Sequence, residues 1–323
     1  MHVSNIILFH GDLDGLYSGL LFYHTNKRDI DIHQVRSVEY GQDHETLYDH
    51  FDQFFIFDFA DNPGRDKTTL WVDHHIRQGE NGAEYHVVED APSCVRLMLN
   101  KGLVGKGIIS EEDAKCIDIV DSAEYKWTDD FTKEDLILPD PDKNRLNKFV
   151  VLNQLLRKNR KNGLCEKLFE RESVDVERIL HFIEIDGGHK TTKYDYMMEA
   201  REKLLKKMIN ESDKYIKYFS DIPVLFTKEF TMKDWKGYDL NLLGYLVNGS
   251  PYLIVVFDFS SGVNIQITRN VFYNGKIDPV YSIVKEEIDD PRGHEGILNM
   301  SFPDSGAAIE KLDKIIALLA EHI

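Results

Sequence analysis

Residues 5–15 read Asn-Ile-Ile-Leu-Phe-His-Gly-Asp-Leu-Asp-Gly. An apolar, β-rich run stops at a histidine and two carboxylates and passes, through glycine, into a stretch of helical spacing over 15–24. A buried strand that feeds directly into a helix is the opening of an α/β unit. Gly11 and Gly15 free the backbone to bend, and Asp14 stands where a helix N-cap would stand. His10, Asp12 and Asp14 could converge from alternate positions on one point. Taken alone, the segment reads equally well as a turn and a cap.

Working outward, further strand patterns fall at 31–38, 54–57, 69–72 and 84–88, with acidic residues and histidines following the apolar runs rather than interrupting them. In open α/β sheets ligands gather beyond the carboxyl ends of the strands, so several strand ends can share one site. The run Phe54-Phe55-Ile56-Phe57 ends in Asp58, and Thr69-Leu70-Trp71-Val72 delivers Asp73, His74 and His75. Neighbouring side chains in extended backbone point to opposite sides. One histidine can therefore bind a metal while the other faces a substrate, with Asp73 orienting an imidazole from behind. Ser110 with Asp113 forms a capping arrangement for a helix running to about Tyr125, on which Asp118 and Asp121 lie one turn apart. Asp121 is taken as the inward carboxylate and Asp118 as the fallback, since i,i+3 neighbours share much of a face.

Composition bounds the rest. The 323 residues suffice for two domains, and 42% hydrophobic with 29% charged residues is that of a chain that folds in water. The net charge of −17, from 39 basic and 56 acidic residues, disfavours extended binding to long polyanions. No apolar run approaches the ~20 residues of a membrane helix, and the N-terminus lacks a secretory pattern, so a cytoplasmic location is expected. Cys94, Cys116 and Cys165 form no Cys-x-x-Cys pair and are expected as buried thiols. Mixed helices follow over 145–182, then a polar helical stretch over 190–219. A second β-rich region has strands at 224–227, 252–259 and 263–269 and a closing helix at 305–322.

The order His-x-Asp-x-Asp-Gly, strand-end Asp, Asp-His-His and helix Asp resembles the DHH phosphoesterase superfamily with its DHH-associated C-terminal domain. This superfamily takes in RecJ-type exonucleases, nanoRNases, pAp phosphatases and cyclic-dinucleotide phosphodiesterases. In the second half, Pro291-Arg292-Gly293-His294-Glu295-Gly296 resembles the family's glycine-rich Gly-Gly-His segment, with Arg292 where glycine is usual. Ile265-Gln266-Ile267-Thr268-Arg269-Asn270 resembles its upstream arginine strand. Gly187-Gly188-His189 also fits the glycine-histidine pattern, but it precedes the polar helix and is read as a turn.

The resemblance implies a two-domain α/β fold. An N-terminal, mostly parallel-sheet catalytic domain (1–189) and a smaller C-terminal α/β substrate-binding domain (220–323) are joined by a connecting helix (190–219), with the active site in the cleft between domains. It implies two Mn²⁺ ions, with Mg²⁺ or Co²⁺ as substitutes. His10 and Asp12 would hold one ion, Asp14, His74 and Asp121 the other, and Asp58 would bridge them. His75 would act on the scissile phosphate, with Asp73 orienting a histidine, while Arg269, Arg292, Gly293 and His294 would grip substrate.

The implied reaction is two-metal phosphodiester hydrolysis by hydroxide attack, converting short oligonucleotides or dinucleotides to mononucleotides. The rival enzymes are a single-strand exonuclease, a cyclic-dinucleotide phosphodiesterase and a pAp phosphatase. A catalytically silent nucleotide-binding relative is the non-enzymatic rival. The expected partner is a short nucleic acid or small nucleotide, with no membrane and no long duplex, and with homodimerisation left open.

Overall fold

A computed structural model describes residues 3–40, 44–75, 83–159, 162–186, 194–226, 240–247, 249–259, 262–273, 277–285, 292–294 and 297–323. The chain forms two compact units, residues 1–135 with 139–197 and residues 136–138 with 198–323.

The first unit is built on a five-stranded parallel sheet in the order β2-β1-β3-β4-β5. Its strands are β1 (Asn5–His10), β2 (Ile32–Val38), β3 (Gln53–Phe57), β4 (Thr68–Asp73) and β5 (Tyr85–Val88). The helices are α1 (Leu13–Asn26), α2 (Glu45–Tyr48), α3 (Cys94–Asn100), α4 (Glu111–Ser122), α5 (Lys133–Ile137), α6 (Arg145–Asn159), α7 (Leu164–Phe169) and α8 (Val176–Asp186). Helix α9 (Tyr194–Tyr215) leads into the second unit.

Strands buried on both faces need apolar side chains at every position, and β1 supplies Ile6, Ile7, Leu8 and Phe9, all fully buried. Ile6 and Leu8 join Phe54, Ile56 and Trp71 in the core on one face. On the other face Phe22 of α1 packs on Phe55 and Phe57, each with ring centroids 4.9 Å apart, and Phe9 stacks on Phe169 of α7.

The passage from β1 into α1 is tight enough to require glycine. A Cβ at Gly15 would collide with the His10 carbonyl oxygen and lie 2.8 Å from the His10 amide nitrogen. Asp12, not Asp14, caps α1, because its extended backbone (φ −128°) turns its carboxylate onto the Gly15 N–H at 3.2 Å. Asp14 is thereby carried into the first turn and buried. Helix α4 opens at Ser110 as its sequence requires, with the Ser110 hydroxyl accepting from the Asp113 N–H. It ends at Ser122, three residues earlier than the spacing suggested, with Ala123 beyond it in left-handed conformation (φ 56°).

The second unit has a six-stranded sheet in the order β10-β11-β9-β8-β7-β6. These are β6 (Ile216–Phe219), β7 (Ile222–Phe226), β8 (Tyr252–Phe259), β9 (Gly262–Arg269), β10 (Arg292–His294) and β11 (Ile297–Phe302), with helices α10 (Leu240–Leu246), α11 (Val280–Val284) and α12 (Ser305–Ala320). Among the described residues of this sheet, only β7 and β8 pair in parallel. Ile254, Ile265, Ile267 and Leu298 meet Leu312, Ile315 and Leu319 of α12 in its core.

The connecting helix expected over 190–219 is corrected at its end. It stops at Tyr215, and 216–219 form β6. Ser220 and Asp221, both at positive φ, make a two-residue hairpin turn that pairs β6 with β7, and this hairpin overrides the helical pattern. The segment 187–189, read as a turn, lies outside the described residues. All three cysteines are buried thiols, none of them in a disulfide. No helix among the described residues is long and apolar enough to cross a membrane.

Candidate metal centre

Parallel strands in the order 2-1-3-4 bring their carboxyl ends side by side, and each delivers polar side chains there. His10 ends β1, Glu39 follows β2, Asp58 follows β3, and Asp73 ends β4 ahead of His74 and His75. The ligand atoms fall into three groups, each within a 4.8 Å span: His10, Asp12 and Asp58; Asp14, His74 and Asp121; and Asp58, His74 and His75.

Asp58 belongs to two of these groups and presents a different oxygen to each side. Its Oδ2 is 3.8 Å from His10 Nδ1, while its Oδ1 is 3.3 Å from His74 Nε2 and 3.8 Å from His75 Nδ1. The backbone at Asp58 is left-handed (φ 55°), a strained conformation for a non-glycine residue. Its N–H donates to the Val72 carbonyl at 2.9 Å, and the residue is almost wholly buried.

Outer contacts orient the remaining groups. His74 Nδ1 donates to the Ala91 carbonyl at 3.0 Å, which directs Nε2 to Asp14 (3.6 Å), Asp58 and Asp121 (3.2 Å). His75 Nδ1 donates to Asp73 Oδ1 at 2.5 Å, so Asp73 orients His75. Asp14 is held by the start of α3, its two oxygens accepting from the N–H groups of Cys94 (2.6 Å) and Val95 (3.0 Å). His10 Nδ1 lies 2.8 Å from Asp12 Oδ2.

The two carboxylates of α4 separate clearly. Asp121 faces His74, whereas Asp118 accepts from the Ser93 hydroxyl at 2.6 Å and from Arg96 Nε and a terminal guanidinium nitrogen at 2.8 and 2.7 Å. Ser93 is the N-cap of α3. Asp118 thus ties α4 to the helix that anchors Asp14.

Packing so many carboxylates out of water has an electrostatic consequence. Burial, reinforced by Asp58 and Asp121, raises the Asp14 carboxyl well above its ordinary range. Burial also drives Asp121 to about 7, with His74 opposing the shift and Asp58 and Asp12 adding to it. For His10 and His74 burial favours the neutral ring, but the surrounding carboxylates prevail and both are raised well above 6.5. His75 is raised as well, burial being outweighed by Asp73. A divalent cation held by these groups would relieve this repulsion. The donor set, oxygen and imidazole nitrogen without thiolate, suits Mn²⁺ or Mg²⁺. Cys94 lies nearby, but burial first and Asp14 second push its thiol well up, which keeps it protonated.

No protein-family model and no curated protein sequence matches the chain. Solved structures do. The pGpG-specific phosphodiesterase PggH of Vibrio cholerae superposes with a TM-score of 0.50 at 14% identity, covering 98% of this chain and 99% of that one. RecJ of Thermus thermophilus, in complex with Mn²⁺, superposes with a TM-score of 0.51 at 10% identity, covering 99% of this chain and 52% of that one. The chain shares the fold of these two structures.

Within this fold, the sequence motifs at His10, Asp12, Asp14, Asp58, His74, His75 and Asp121 meet at one end of the sheet. Two neighbours were not singled out from the sequence. Glu39 Oε2 is 3.7 Å from His10 Nε2, and the Tyr40 ring lies 5.4 Å from that of His10. Both follow β2 without a motif of their own, and only the pairing of β2 beside β1 brings them to the centre.

In the second unit, Arg269 ends β9 half-buried and makes no ion pair among the described residues. Arg292, Gly293 and His294 form β10, with His294 opposite Ile297 and Ile297 opposite Thr268, so Arg269 and His294 reach the same end of that sheet. The side chains of residues 292–294 lie outside the description.

Proposed function

We propose that the chain is a divalent-metal-dependent phosphoesterase that hydrolyses phosphodiester bonds of short oligonucleotides or dinucleotides, yielding mononucleotides. The observation that carries this reading is the pair of ligand groups, His10–Asp12–Asp58 and Asp14–His74–Asp121, joined through the two oxygens of Asp58 and the Nε2 of His74. His10 and Asp12 would hold one Mn²⁺, Asp14, His74 and Asp121 a second, with Asp58 shared. When bound, such ions supply Lewis acidity to the phosphoryl oxygens and to the attacking water.

The chain's own residues supply the rest. Asp73 orients His75 by accepting from Nδ1–H, so that in the imidazolium form Nε2–H would donate to a non-bridging phosphoryl oxygen or protonate the leaving oxygen. Burial favours the neutral ring, but Asp73 outweighs it and shifts His75 toward that imidazolium form. Asp14, pinned to the start of α3, holds its carboxylate at a set orientation before any ion arrives. Arg269 and the 292–294 segment are the proposed phosphate-gripping residues of the second unit.

The short-substrate reading is supported by charge and by the likeness to PggH, whose name records a dinucleotide substrate. A net charge of −17 opposes long polyanions. The decisive experiment incubates the purified chain with Mn²⁺ and a panel of labelled RNA and DNA from two to about thirty nucleotides, cyclic dinucleotides and pAp. Preferential conversion of the shortest linear substrates to mononucleotides is expected. Activity confined to the longest DNA, to cyclic dinucleotides or to pAp would replace this subtype by the corresponding rival, and no turnover with any substrate would favour a silent nucleotide-binding protein.

A further inference from the structure

Tyr40 stands beside both proposed ligand groups. Its ring centroid is 5.4 Å from that of His10, tilted by 53°, and 6.1 Å from that of His75, edge-on at 76°. One ring face is stacked on Phe59 at 4.7 Å and 26°. Phe59 is itself fully buried, with its carbonyl accepting from Trp71 Nε1 at 2.8 Å and its ring braced edge-on by His44 at 5.8 Å. The Tyr40 hydroxyl accepts from the Ala60 N–H at 3.1 Å, which fixes the far end of the ring. Yet Tyr40 remains 37% exposed. A rigid aromatic backed by a second aromatic, open to solvent beside the reacting centre, is the arrangement on which a planar base can stack with little loss of side-chain entropy.

We propose that Tyr40 is the base-stacking platform of this site, against which the nucleobase adjoining the scissile phosphate lies. The inference rests on the phosphoesterase reading and extends it, naming the contact that selects a nucleotide over a base-free phosphodiester. Stacking of one base on an aromatic side chain is worth about 1–3 kcal/mol, which corresponds to roughly a 5- to 150-fold difference in affinity.

The test uses the full chain loaded with Mg²⁺ and a linear dinucleotide carrying 2-aminopurine, whose fluorescence is quenched when the base stacks. Wild type and Tyr40→Phe, which keeps the ring, are expected to quench on binding. Tyr40→Leu should bind about 5- to 150-fold more weakly, without the quench. The wild-type preference for the dinucleotide over its abasic analogue, read as the ratio of KM values, should shrink by a similar factor. Equal quench and equal preference in wild type and Tyr40→Leu would overturn the proposal, as would loss of the quench in Tyr40→Phe. The two readings fail separately. Quenched binding without hydrolysis of any substrate sinks the phosphoesterase and leaves the platform, whereas hydrolysis with an unaltered preference in Tyr40→Leu does the reverse.

Discussion

Replacing Asp121 by asparagine is expected to stabilise the metal-free protein while weakening its hold on metal. Asp121 lies 3.2 Å from His74 Nε2 but is half-buried beside the buried Asp14 and Asp58, and its carboxyl is driven from 3.8 to about 7. A raised carboxyl pKa means that the folded state disfavours the charged form. The penalty is absent below the unfolded value near 4, grows through the interval up to 7 and is complete above it. At about 1.4 kcal/mol per pH unit it reaches a ceiling of about 4 kcal/mol at pH 8. Asparagine cannot ionise and escapes this penalty, less whatever its amide loses in unmet hydrogen bonds. In EDTA at pH 8, Asp121→Asn should therefore unfold at higher urea and several degrees above wild type, and the gap should close near pH 4. The same variant removes one member of the Asp14–His74–Asp121 group, so its Mn²⁺ affinity should fall by more than the 10- to 100-fold typical of losing an outer partner. Calorimetric Mn²⁺ titration with urea unfolding at two pH values measures both effects. A variant that binds Mn²⁺ like wild type, or that is destabilised at pH 8 in EDTA, would refute the argument.

Asp118→Asn should do the opposite, costing about 1–3 kcal/mol of stability by breaking the Arg96 and Ser93 contacts while leaving Mn²⁺ stoichiometry and turnover near wild type. Loss of metal in this variant would overturn the division of labour on α4. Asp58→Asn should abolish turnover and reduce bound Mn²⁺, as read by elemental analysis, because it supplies an oxygen to each ligand group; normal occupancy with normal rate would remove it from the centre. Gly15→Ala forces a methyl into the backbone of β1, with an overpacking cost of about 1–3 kcal/mol and displacement of His10 and Asp14; a wild-type melting temperature would contradict the close passage. Metal competes with protons at His10, His74, Asp14 and Asp121, all raised, so Mn²⁺ affinity should climb from pH 6 to 8 with proton release, seen as buffer-dependent heats of binding. A flat profile would speak against these groups as ligands.

The elements that the sequence displayed most clearly are those set by local pattern. Strand β1 with its glycine-flanked ligands, the strand ends at Asp58 and Asp73, and the Ser110 cap of α4 all rest on interactions within a few residues. What local reasoning misjudged depended on distant partners. Asp12 rather than Asp14 caps α1 because α3, some eighty residues later, draws Asp14 inward through two backbone N–H groups. The strand character of β11 comes from pairing with β9, some thirty residues earlier, whereas 216–219 leave the helix for a hairpin with the adjacent β7 whose turn at Ser220 and Asp221 carries no glycine signal. Glu39 and Tyr40 carry no motif, and their place beside His10 follows from the sheet order alone.

The sequence by itself determined which chemical groups stand at the ends of the strands and that they are oxygen and imidazole donors, since side-chain type and local periodicity are written residue by residue. Only the tertiary structure decided that Asp121 and not Asp118 meets His74, and that the two oxygens of Asp58 look to different neighbours. Those outcomes hang on strand order and helix docking, which are sums of contacts between residues far apart in the chain.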